Sequence, residues 1–189
     1  GMDFVTGAAL PTPALTGAQV IEENLDVAAG QRVLVTGAAG AVGRFAMRAA
    51  KARGAHVVAA VRATARTEAL ALGADEVIVL DGSAYDGPAF DRIADTVGGE
   101  MVATLCRKVA ADGRIVTVAT NPIPAEGIPV DIAFVGVHPD ATRLARVLDW
   151  AASGVIPVSI ADRLPLARAA QAQERVDAGG TGGKIILEP

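Results

Sequence analysis

Short apolar runs recur along the chain, each followed by a stretch whose apolar positions return every third or fourth residue. RVLVT (32–36), HVVAAV (56–61), EVIVL (76–80) and RIVTVAT (114–120) are unbroken enough to read as strands buried on both faces. FDRIADTVGG (90–99) reads as a poorer strand, because Arg92 interrupts its apolar run. Helical spacing covers 16–25, with Val20 and Ile21 inward, and 41–53, with Phe45, Ala46, Ala49 and Ala50 inward and Gly54 at its end. Two more helices fit 66–74, stopped at Gly73, and 100–110. The proline-rich NPIPAEGIP (121–129) cannot continue a central strand. Beyond it come a strand, DIAFVGVH (131–138), and an amphipathic helix over 139–154 with Pro139 in its first turn. A short strand around Val158, a helix over 165–177 and a last strand, KIILE (184–188), complete the pattern.

Strand and helix thus alternate at intervals of about 20 to 25 residues, which calls for right-handed βαβ crossovers. The expected fold is α/β: a Rossmann-type, doubly wound parallel sheet with helices on both faces. Composition agrees. The 189 residues are 51% hydrophobic and 20% charged, as in a folded domain, and the 3% aromatic content leaves Ala, Val, Leu and Ile to build the core. A net charge of −4 without a basic block argues against a nucleic-acid partner. No apolar run approaches the roughly 18 to 20 residues of a membrane span, and the N-terminus lacks a signal peptide's pattern. Cys106 is the single cysteine, which fits a reducing, cytoplasmic setting. Gly1 reads as an expression scar, and Met2 need not be a natural start.

The candidate chemistry begins at VLVTGAAGAVGR (33–44). In a parallel sheet the first βα turn approaches the ligand, and glycines there let backbone N–H groups reach a pyrophosphate at a helix N-terminus. The usual GxGxxG appears as Ala38-x-Gly40-x-x-Gly43, with Gly37 one residue earlier. Lying between a strand and a helix, it predicts dinucleotide binding through Ala39, Gly40, Ala41, Val42 and Gly43, with Gly43 allowing tight helix–strand packing. No Gly-Lys-Ser/Thr follows, so a Walker loop is excluded. At the end of the second strand an acid would signal NAD; here VRATAR (61–66) offers none before Glu68. Arg62 is placed to meet a 2′-phosphate, helped by Thr64 and Arg66, since guanidinium matches phosphate. The alternative is that these arginines are solvated residues of an exposed turn. NADP(H) is the expected cofactor.

Several stretches in order resemble the cofactor half of the medium-chain dehydrogenase/reductases, in the zinc-binding dehydrogenase and NADPH quinone oxidoreductase branch. They are AALPTPALTGAQVIEE (8–23), VLVTGAAGAVG, ALGADEVI (71–78), DTVGGE (95–100), the 113–119 strand and GKIIL (183–187). In that branch the loop reads GAAGGVG, so Ala41 replaces a glycine while keeping its N–H. The resemblance implies that Val97 and Ala119 line the nicotinamide side and that Phe134 lies close to the same ring. It also implies a GroES-like catalytic domain of roughly a hundred or more residues ahead of this chain. Residues 1–28 would be the linker and helix following that domain, 29–157 the NAD(P)-binding domain, and 158–189 a segment returning to the catalytic domain. Ile185, Ile186 and Leu187 would then be under-covered, favouring a homodimer.

Other sites fare poorly on the residues. Cys106, His56 and His138 lie far apart, so no metal site is expected. Cys106 reads as a packed side chain, and Asp95 as a cap for the next turn in preference to a cofactor contact. Lys184 is either near a phosphate or solvated. TGAAGAVG also fits a short-chain dehydrogenase pattern, but the only tyrosine, Tyr85, has Ala89 where a lysine is needed. The expected parent is an NADPH-dependent oxidoreductase acting on a small quinone, enone or other conjugated carbonyl, with this chain alone inactive and its catalytic residues outside. The alternatives are a stand-alone dinucleotide-sensing domain and an enoyl reductase segment of a multidomain synthase.

Overall fold

In the computed structural model, which describes residues 3–189, the strands β1 (Arg32–Thr36), β2 (His56–Val61), β3 (Glu76–Val79), β4 (Phe90–Asp95), β5 (Val109–Thr117) and β6 (Ile132–Phe134) form one sheet. Their order is β3-β2-β1-β4-β5-β6 and every pairing is parallel. This is the doubly wound Rossmann arrangement. Period-two alternation explains why the central strands are apolar throughout. Val33, Val35, Val57 and Ala59 face one core with Ala46 and Ala50 of α3 (Gly43–Ala52). Leu34, Val58 and Ile93 face the other, with Val102 and Leu105 of α5 (Glu100–Cys106). The remaining crossover helix beside β2 and β3 is α4 (Arg66–Ala71).

β4 is better placed than its sequence promises. It sits between β1 and β5, and Arg92 is accommodated because its guanidinium donates to the carbonyl oxygens of Leu25 (3.0 Å) and Asp91 (2.7 Å) at the start of the strand. Ile93 and Ala94 are left to the core. The helix expected over 100–110 stops at Cys106, because Val109 pairs with Phe90 and extends β5 backwards. The strand expected over 131–138 shrinks to β6, since β5 ends at Thr117 and offers no partner beyond.

Upstream of the sheet the expected helix 16–25 is replaced by α1 (Phe4–Ala9), α2 (Pro11–Gln19) and a π-helical turn (Val20–Asn24). Asp3 caps α1 by accepting from the Thr6 N–H at 2.9 Å, and Pro11 opens α2 where its missing N–H costs nothing. The wider turn brings Val20, Ile21 and Leu25 all into the core. α2 lies close on α3: a Cβ on Gly17 would meet Ala46 N and Val42 O at 2.7 Å each.

α6 (Ala141–Ala152) starts not at Pro139 but after Asp140, whose carboxylate accepts from the Arg143 N–H at 2.8 Å. The guanidinium groups of Arg48 and Arg146 both lie over the ring of Trp150 on α6, 5.6 and 5.8 Å from its centre. The last residues form a separate two-stranded parallel sheet, β7 (Ile160–Pro165) with β8 (Lys184–Glu188), crossed by α7 (Ala169–Asp177). The strand expected near Val158 therefore starts two residues later, and the helix expected from 165 begins with a 3-10 turn (Leu166–Arg168). Of the three residues expected to be under-covered, Ile186 is buried, Ile185 half-buried and Leu187 exposed. The expectations for Gly1 and Met2 lie outside the described residues.

Candidate functional site

Strand order reverses direction between β1 and β4, and there the carboxyl ends of the strands open into a cleft of about 820 Å³. Its floor is the loop between β1 and α3. Gly37 turns the chain with φ +60° and donates its N–H to the Ala60 carbonyl at 2.9 Å. A Cβ at Gly37 would meet Thr96 Oγ1 at 2.5 Å, so only glycine fits both the dihedral and the space. Gly43 opens α3 beneath the turn. A Cβ there would lie 2.2 Å from the Gly37 carbonyl oxygen and 2.7 Å from Ala38 Cα.

The backbone N–H groups of Ala39, Ala41 and Val42 have no acceptor among the described residues. Unpaired donors over the N-terminus of a ten-residue helix form an anion cradle. The arrangement fits the pyrophosphate of a dinucleotide, and a 29-residue wall around a volume of this size fits the rest of it.

The structure brings Ala39, Gly40, Ala41, Arg62, Thr64 and Val97 together on the walls of this one cleft. Val42 and Gly43 are not among the residues that line it. Arg62 is exposed at the end of β2, with Thr64 in the 3-10 turn that follows (Ala63–Ala65). Arg66, Ala119 and Phe134 are outside the walls. Arg66 turns toward the Val77 carbonyl (3.3 Å), Ala119 donates its N–H to Thr117 Oγ1, and Phe134 is 63% exposed on the edge strand. Lys184 also lines the cleft, with Thr181 and Gly182.

Asp95 does more than cap a turn. Fully buried at the end of β4, it accepts from Thr36 Oγ1 (2.5 Å), Thr117 Oγ1 (2.6 Å) and the N–H groups of Val97 and Gly98 (3.1 Å each). It thereby joins β1, β4 and β5 just below Val97. Cys106 is buried, and burial with the nearby Asp95 charge pushes its thiol up to about 12, so it stays protonated and unreactive. No group of three metal-ligating side chains occurs among the described residues. No helix among them is long and apolar enough to cross a membrane.

Two cleft residues escaped the sequence reading. Arg44, the last residue of the glycine stretch, is only 7% exposed, and its guanidinium reaches the Ala39 and Gly40 carbonyls, the Pro157 carbonyl and the Glu68 carboxylate. A cation in the first turn of a helix opposes the helix dipole, and that was the signal available. Glu68 was visible only as the first acid after β2.

A doubly wound sheet with unpaired backbone N–H groups at its switch point is the arrangement of a nucleotide-binding domain. Residues 72–187 match the model of a family described as zinc-binding dehydrogenase. The chain belongs to this family, within the medium-chain dehydrogenase/reductases, and spans its cofactor-binding region. It is 27% identical to a chloroplast envelope quinone oxidoreductase homolog of Arabidopsis thaliana, over 96% of this chain and 61% of the relative. A highly reducing polyketide synthase of Emericella nidulans is also 27% identical, over 98% of this chain and 8% of the synthase. Among solved structures, the quinone oxidoreductase from Coxiella burnetii superposes with a TM-score of 0.85 at 24% identity, covering all of this chain and 62% of that one, and so speaks to the fold. The chain thus spans half to about three fifths of the length of its single-enzyme relatives.

Proposed function

We propose that this chain holds NADP(H) for an oxidoreductase that reduces a quinone, enone or other conjugated carbonyl compound. The observation that carries the cofactor choice is Arg62: it stands in solvent on the cleft wall at the end of β2, where an acid would favour NAD. The substrate class follows the quinone oxidoreductase relative. The bound cofactor supplies the hydride. The chain's own part is to hold the pyrophosphate on the Ala39 and Ala41 N–H groups and to meet the 2′-phosphate with Arg62 and Thr64. Asp95 fixes the turn that carries Val97, which supports the nicotinamide face of the cleft. Orientation of this kind lowers the barrier without any group here touching the substrate. A cytoplasmic location and a homodimer belong to the same reading.

Calorimetric titration tests it. NADPH is expected to bind about tenfold tighter than NADH, and Arg62→Ala to cost NADPH about tenfold while leaving NADH within about twofold, as for loss of one charge-assisted contact. Tighter binding of NADH overturns the assignment. The purified chain is expected to reduce no quinone, because this reading gives none of its residues a substrate contact; measurable turnover would sink that claim. A second reading is favoured by the match along 98% of the chain to a polyketide synthase: an enoyl reductase segment of a multidomain enzyme. Long coding sequence for synthase domains on both sides would decide for it.

A further inference from the structure

Glu68 is the only carboxylate on the walls of the cleft among the described residues, and it lies in the helix that directly follows the turn carrying Arg62 and Thr64. It stands in the first turn of α4, and its side chain is 46% exposed. A free carboxylate at the adenosine end would repel the roughly two negative charges of a 2′-phosphate and favour a ribose hydroxyl instead. It is not free. Arg44 Nη2 lies 2.9 Å from Glu68 Oε1. The same guanidinium is held by Ala39 O and Pro157 O at 2.5 Å each and by Gly40 O at 3.3 Å. With three carbonyls fixing its fork, Arg44 cannot swing out, and at 7% exposure it is shielded from competing ions.

We propose that Arg44 sets the choice between the two nicotinamide dinucleotides by neutralising Glu68 from beneath the glycine loop, leaving Arg62 as the net charge the adenosine ribose meets. Arg44 is a positioning residue: it acts through Glu68 and through the loop carbonyls. The proposal rests on the reading that the cleft takes NADP(H), and it explains how that reading survives an acid on the wall. It also accounts for a cation placed against the dipole of α3, since three carbonyls and a carboxylate offset that unfavourable term.

The test is a two-by-two set of the 189-residue chain: the unmodified sequence (the parent of the variants), Glu68→Gln, Arg44→Met and the double variant, each titrated with NADPH and with NADH at low and moderate salt. Glu68→Gln leaves the Arg44 charge unopposed and is expected to raise the NADPH-to-NADH affinity ratio about fivefold. Arg44→Met leaves the carboxylate unopposed and is expected to lower the ratio about fivefold, from a charge felt across the width of a solvated cleft. The double variant is expected to return within about twofold of the parent ratio, and both shifts to shrink as salt rises. A purely structural role for Arg44 moves both affinities together and leaves the ratio unchanged, which overturns the proposal. If Arg44→Met does not fold, Glu68→Gln decides alone: no rise in the ratio overturns it. The parent's own ratio tests the cofactor reading separately, because the shifts have the same sign whichever dinucleotide the parent prefers. A parent that binds neither overturns both.

Discussion

Gly43→Ala is expected to lower stability by about 3 kcal/mol and to abolish detectable dinucleotide binding, although it adds a single methyl group. The added carbon would sit 2.2 Å from the Gly37 carbonyl oxygen, 2.8 Å from the Gly37 carbonyl carbon and 2.7 Å from Ala38 Cα. All three are backbone atoms of a turn that is itself pinned, because the Gly37 N–H is bonded to Ala60 on β2. No side chain can rotate away, so α3 must lift off β1 or the turn must open. Either movement displaces the unpaired N–H groups of Ala39 and Ala41. Thermal unfolding should show a midpoint about 6 to 12 °C lower for a chain of this size. Gly7→Ala is the internal control, because Gly7 lies in α1 with nothing within 4 Å of its added Cβ, and it should melt at or slightly above the parent. A Gly43→Ala protein that melts within 2 °C of the parent, roughly the resolution of the comparison, would show that helix and turn are not in close contact.

Asp95→Ala should be the most damaging single change at the sheet's carboxyl edge, costing about 3 to 5 kcal/mol. Its carboxylate has no solvent exposure and receives two hydroxyls and two backbone N–H groups. Thr36 and Thr117 can turn their hydroxyls to other acceptors; the N–H groups of Val97 and Gly98 cannot turn. Gly98 is itself buried with φ +70°, so water reaches its N–H poorly. Asp95→Asn separates charge from shape. It keeps the volume but offers one acceptor oxygen in place of two and turns an NH₂ toward groups that donate, so about 2 kcal/mol is expected. Urea unfolding distinguishes the cases. An Asn variant as stable as the parent would mean that these donors have other partners.

The alternation of apolar runs with helical spacing was sufficient for the doubly wound sheet, because buried parallel strands leave an unmistakable run of β-branched residues. Its failures have one physical form: a residue judged by its own character when a distant partner decides. Arg92 lowers the strand pattern of 90–95, but the Leu25 carbonyl lies where its guanidinium arrives. Val109 reads as helix until Phe90 is found opposite it. Pro11 ends one helix and begins another only if the chain upstream is already helical. At the site, the cradle residues were legible because a glycine requirement is local, set by φ and by the space for a Cβ. Arg44 was not, because its four acceptors come from the loop, from α4 and from Pro157 more than a hundred residues away.

The contact between Trp150 and Arg48 has an optical consequence. Trp150 is the only tryptophan in the chain, and Arg48 belongs to α3, the helix whose first turn carries the cradle. Emission near the red edge of protein fluorescence therefore comes from one indole, and the cation stacked on it belongs to the helix that opens beneath the glycine loop. Reduced nicotinamide absorbs where that indole emits, so under the proposed function energy transfer from Trp150 would report the ring's arrival without a dye. A shift in the indole's own spectrum reports any displacement of α3. Cofactor docking and helix movement thus become two separable signals from a single native fluorophore.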